Sequence, residues 1–155
     1  MKYALVILFF FSITMVCSAQ SQTQKAPCSD PEYRQFDFWI GEWNVDVKGK
    51  PAGTSSVQLI LDKCIIFENW TGKSGYTGKS FNTYNATLKK WQQFWVDNQG
   101  GALEFSGEYK DGELRLIGET PQPNGSKVIE HLTFFKLPDG RVRQLWEQSN
   151  DNGKT

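Results

Sequence analysis

From residue 41 onward, residues that favour turns interrupt the chain too often to leave room for a long helix. Strong turn signals stand at Lys48-Gly49-Lys50-Pro51, at 71–75, at Asn98-Gln99-Gly100-Gly101, at Lys110-Asp111-Gly112, at 121–125 and at Pro138-Asp139-Gly140. Weaker ones stand at Asp62-Lys63 and Asn85-Ala86-Thr87. Glycine, asparagine and aspartate accept the left-handed backbone that tight hairpins need, and proline cannot continue a central strand. Nine runs lie between them, near 41–48, 54–61, 64–70, 76–84, 90–97, 101–109, 113–119, 127–137 and 141–148. Short runs joined by short links predict an all-β protein, an antiparallel up-and-down meander. A sandwich is the competing architecture; hairpin-length links between neighbours favour a barrel.

Within the runs, apolar and polar residues alternate, as strands with one wet and one buried face require. Trp43, Val45 and Val47 oppose Glu42, Asn44 and Asp46; Val57, Leu59 and Leu61 share a face; Leu103 and Phe105 oppose Glu104 and Ser106; Leu114 and Leu116 oppose Glu113 and Arg115. Two runs mix the classes. Trp91, Gln93, Trp95 and Asp97 share one face, and Val128, Glu130, Leu132 and Phe134 share another. Polar groups set among aromatics suit either a polar-studded pocket or a core whose polar atoms are hydrogen-bonded.

The N-terminus sets the expected compartment. Lys2, the apolar run from Tyr3 to Val16 and the small residues Cys17-Ser18-Ala19 have the order of a secretory signal, too short to span a bilayer well. Cleavage after Ala19 leaves 155 − 19 = 136 residues, a length suited to one domain. The organisation expected is a signal at 1–19, a leader with a short helical segment at 20–35 and a β-barrel domain at 36–155. The protein is then exported, periplasmic or extracellular, with no transmembrane segment once the signal is removed. Of 17 basic residues Lys2 leaves with the signal, so 16 face 17 acidic ones, a balance that argues against a nucleic-acid partner. Cys28 and Cys64 remain, an even pair in a compartment that permits disulfides, and are expected to bridge.

The run Phe36-Asp37-Phe38-Trp39-Ile40-Gly41-Glu42-Trp43 resembles the Gly-x-Trp opening of the lipocalins and wider calycins, in which the tryptophan plugs the closed end of the barrel. More closely it resembles a family of small exported bacterial proteins of that type that opens on Phe-Asp-Phe-Trp-x-Gly-x-Trp. Further phrases similar to that family are Leu61-Asp62-Lys63-Cys64, Glu68-Asn69-Trp70-Thr71-Gly72, the run 95–101 and Arg143-Gln144-Leu145-Trp146-Glu147. The resemblance implies a calycin-like barrel and no particular activity.

Chemistry by motif is sparse. The glycine-rich run 71–80 lacks the spacing and the following helix of a phosphate loop. A lone histidine, His131, excludes a multi-histidine metal site, and no serine stands in a strand-turn-helix elbow. The glycine-rich pattern of haem-binding calycins is absent after Trp43, so no cofactor is expected. The candidate function is binding of a small apolar or amphipathic ligand in the barrel, with Trp43, Trp70, Tyr84, Trp95 and Phe134 lining it. Glu68, Gln93, Asp97, Glu130 and Gln144 would orient the ligand. The alternatives are a hydrolase or isomerase using two interior carboxylates, with no catalytic residue assignable, or an interaction module with a filled core.

The run Ser149-Asn150-Asp151-Asn152-Gly153-Lys154-Thr155 resembles an Asp-box turn, Ser-x-Asp-x-Gly-x-Thr-Trp, stopped before its tryptophan. A hairpin turn with nothing returning from it implies a barrel lacking its last strand.

Overall fold

The structure, a computed structural model, describes residues 25–149 and Asp151. The expected signal at 1–19 and positions 150 and 152–155 of the terminal turn lie outside the described residues. The nine strands are β1 (Gly41–Val47), β2 (Lys50–Ile60), β3 (Ile65–Gly72), β4 (Thr77–Asn85), β5 (Lys90–Asp97), β6 (Ala102–Lys110), β7 (Glu113–Pro121), β8 (Lys127–Lys136) and β9 (Val142–Ser149). They pair antiparallel in sequence order, each with its chain neighbour, and curl into a half-barrel. Among the described residues β1 and β9 each pair on one side only.

The turns explain where strands start. Lys48 and Gly49 both take positive φ, 51° and 75°, and complete the first hairpin by themselves. Lys50 and Pro51 therefore belong to β2, which starts four residues earlier than its alternation suggests. The register slips between Val45 and Asp46, and this bulge accommodates a proline inside the sheet. After β2, Leu61, Asp62 and Lys63 all have positive φ, and the Cys64 N–H closes the turn on the Leu61 carbonyl at 3.0 Å.

Two 3-10 turns, Pro31–Arg34 and Asp37–Trp39, precede the sheet, where a short helical segment was expected. Pro31 fixes the first turn's opening, and the Tyr33 N–H bonds the Asp30 carbonyl at 3.0 Å. These turns form a plug at one end of the half-barrel. Phe36 is wholly buried, its ring 4.9 Å from Trp39, 5.7 Å from Trp91 and 4.8 Å from Phe134. Tyr33 meets Tyr84, and Phe38 meets Tyr109. Each large side chain buried here contributes about 1.5–3 kcal/mol. Cys28 is joined to Cys64 with Cα atoms 5.1 Å apart, tying the plug to the β2–β3 turn. Arg34 adds a bond from its guanidinium to the Lys63 carbonyl.

The core follows the inward face of the sheet away from the plug through Val57, Ile66, Phe105, Leu114, Leu116 and Leu132. Outside, Phe67, Phe81 and Phe94 stand in cross-strand register on β3, β4 and β5, with Phe81 and Phe94 exposed.

Candidate functional site

The interior changes character along its length. At the plug end, inward positions carry Trp91, Leu114 and Phe134, all buried. Toward the opposite, open end the same rows carry Ser55, Glu68, Ser80, Asn82 and Gln93, also buried but polar. Alternation puts them there: Ser55 precedes Val57 by two on β2, and Glu68 follows Ile66 by two on β3.

These polar groups form one hydrogen-bonded network whose donors converge on Glu68 from two sides. Gln93 Nε2 donates to Asn82 Oδ1 at 2.7 Å, and Asn82 Nδ2 donates to Ser80 Oγ at 3.0 Å. Ser80 donates to Glu68 Oε2 and Ser55 donates to Glu68 Oε1, both at 2.9 Å. Asn82 Nδ2 also reaches the Ile66 carbonyl at 3.0 Å. Glu68 thus terminates the network as its acceptor. Burial pushes its carboxyl above the ordinary range, and the two serine hydroxyls oppose that shift only in part.

Trp70 and Trp95 flank this cluster at the open end, both half-buried. Each lies over glycine. A Cβ on Gly78 would stand 2.1 Å from the Trp95 ring, and one on Gly53 would stand 2.8 Å from the Trp70 ring. The bare backbone at Gly78 is what leaves room for the Trp95 indole over the strand. Trp43 leans the other way: its indole N–H donates to the Trp39 carbonyl at 2.8 Å, linking β1 to the plug.

A second polar cluster occupies the far side of the interior. Glu130, buried on β8, accepts from Trp146 Nε1 at 2.6 Å, from Gln148 Nε2 at 3.1 Å and from the Thr120 hydroxyl at 3.4 Å. Its partners come from β7 and β9, whereas those of Glu68 come from β2 and β4. The two carboxylates serve separate clusters five strands apart in the sheet order.

The remaining sequence candidates are placed as follows. Phe134 and Tyr84 pack in the plug-end core, Tyr84 against Trp91 with ring centres 6.1 Å apart. Gln144 is exposed on β9, opposite Phe134. Asp97 organises the β5–β6 turn, accepting the Gln99 N–H at 2.8 Å and the Gly101 N–H at 2.9 Å, with the Tyr76 hydroxyl at 2.9 Å. The backbone donors of Gly101 and Gln99 hold its carboxyl below the ordinary range. The structure therefore brings Glu68, Trp70, Gln93 and Trp95 together, sets Glu130 in a cluster of its own, and gives Tyr84 and Phe134 to the core.

Sequence reasoning missed Ser55, Ser80 and Asn82. In β4 the alternation sets Gly78, Ser80 and Asn82 against Lys79, Phe81 and Thr83, and hydrophobicity alone turns Phe81 inward. The usable signal was the glycine beside a serine and an asparagine in period two, paired in register with Glu68 and Trp70.

Two open hollows, about 390 and 430 Å³, lie at the open end against the ends of β1–β3 and of β3–β5. Both combine inward residues such as Gly53, Trp70 and Gly78 with outward ones such as Thr54 and Lys79, so they are rim features and not enclosed chambers. Among the described residues no helix is long and apolar enough to cross a membrane, and no group of three His, Cys, Asp or Glu side chains is placed to hold a metal ion. No family model and no curated protein matches the chain.

Proposed function

We propose that this is an exported binding protein that holds a small, partly apolar ligand at the open end of the half-barrel, between Trp70 and Trp95 and above Glu68. The observation that carries this reading is the division of the interior. Apolar side chains fill one end. The other is floored by buried polar groups in a single connected network beneath two half-buried indoles. Few convergent polar groups among aromatics are the usual make-up of a small-molecule site. The Cys28–Cys64 disulfide is in keeping with export to a non-reducing compartment.

The test is a titration of intrinsic tryptophan fluorescence with a library of small apolar and amphipathic compounds. A saturable change is expected, and Trp95→Ala should weaken it. A protein with no saturable ligand in such a library is an interaction module instead.

A further inference from the structure

The inward face of the sheet has a sign. Paired residues on neighbouring strands share a face, so the register assigns every inward position once one is known. Taking β1 and β2 up to the bulge beside Val45, the inward positions hold three carboxylates, Glu68 on β3, Asp97 on β5 and Glu130 on β8. Among the described residues they hold one cation, Lys136, exposed at the last position of β8, at the plug end beyond Phe134. No arginine is among them. The basic groups near the open end, Lys48, Lys50, Lys73, Lys79 and Lys127, sit in turns, at the start of β2 beyond the bulge, or on the outward face. Lys73 and Lys79 border the two hollows from outside, Lys79 bonds Asn69 and Lys127 is paired with Glu119. A fatty acid or other anionic amphiphile entering here meets carboxylates and indole faces with no counter-charge inside.

We propose that the ligand is an organic cation, an amine or quaternary ammonium on an apolar body, with its charge directed to Glu68 and its body against Trp70 and Trp95. This deepens the binding function proposed above and rests on it. Aromatic faces attract cations through the negative potential of the ring, most strongly for tryptophan and where water is excluded. Glu68 supplies the opposite charge. Its two oxygens are already oriented by Ser55 and Ser80, so the acceptor does not reorganise when a cation arrives.

The experiment uses three probes with one body: phenethyltrimethylammonium, its neutral carbon isostere and 4-phenylbutyrate, each titrated against the full chain by tryptophan fluorescence. The cation should bind about fivefold to thirtyfold more tightly than the neutral compound, and the anion most weakly. Glu68→Gln should lower the affinity for the cation well beyond any change for the neutral compound, leaving only the smaller preference that the indole faces supply. Glu104→Gln, on the outward face of β6, should alter neither. Equal binding of cation and neutral, or preference for the anion, overturns the inference while leaving a ligand site in place. A cation preference undiminished in Glu68→Gln overturns the role given to Glu68. No saturable response to any of the three overturns the inference together with the binding function. Should Glu68→Gln not fold, the three probes on the unaltered chain decide the charge of the ligand.

Discussion

Glu68 is the residue on which the polar interior turns. Replacing it with alanine leaves the Ser55 and Ser80 hydroxyls buried without their acceptor, a loss of about 1–3 kcal/mol. Urea unfolding at neutral pH measures it. The pH dependence has a defined direction. Burial raises the folded carboxyl's pKa above its unfolded value, so the native state holds the proton more tightly. The stability from this group is full below the ordinary glutamate range and falls as pH rises through the folded value. Glu68→Gln does not titrate, so the unaltered chain should lose stability relative to it over that rise. Asp97, shifted the other way by the Gly101 and Gln99 amides, loses its contribution as pH falls. Gly78 offers a test of packing. A Cβ there collides with the Trp95 ring and the Val96 carbonyl. Gly78→Ala should cost about 1–3 kcal/mol and alter the near-ultraviolet circular dichroism of the indole. An unchanged spectrum means the ring is not where the structure puts it.

At the scale of the element, the plug is held by one covalent link, by aromatic contacts and by the hydrogen bonds of Arg34 to the Lys63 carbonyl and of Trp43 to the Trp39 carbonyl. Cys28→Ser with Cys64→Ser opens a loop of 36 residues. The chain-entropy account gives about 3–4 kcal/mol for that loop. Denaturant unfolding should show a loss of this size, and a negligible loss would mean that the noncovalent contacts seat the plug without the disulfide. All nine strands were legible from the sequence because turn residues bracket each of them, and in most of them period-two alternation agrees. The start of β2 was not, since only the φ angles at Lys48 and Gly49 show that two residues suffice for the turn. The candidate site was half legible. Trp91, Gln93, Trp95 and Asp97 share a face as their spacing demands. Alternation says which residues face inward but not which end of the interior is filled, and that separates Phe134 in the core from Trp95 near the rim. The outward row Phe67, Phe81 and Phe94 shows the limit of the rule: in β4 the phenylalanine points outward while Ser80 and Asn82 are buried.

For the molecule as a whole, cohesion is uneven. Strands β7 and β8 carry Leu114, Leu116, Leu132 and Phe134 beneath the plug, while β1 and β9 have neighbours on one side only among the described residues. Amide hydrogen exchange should follow that gradient. Amides of Leu116 and Leu132 are expected to be among the slowest, and those along the outer edges of β1 and β9 among the fastest. Uniform protection across the sheet would show that both edges are covered in solution.

Because every strand pairs with its neighbour in sequence, the turn at Asp111-Gly112 is the only covalent crossing between the first six strands and the last three. Cutting it leaves two pieces whose internal ladders are whole, with one ladder, β6 to β7, to remake between them. Phe36, carried by the first piece, finds Phe134 on the second. The protein is therefore built like a two-part reporter: the halves 25–111 and 112–149, expressed apart, should reassemble on mixing, with Trp fluorescence as the signal and Phe36→Ala as the change that prevents it.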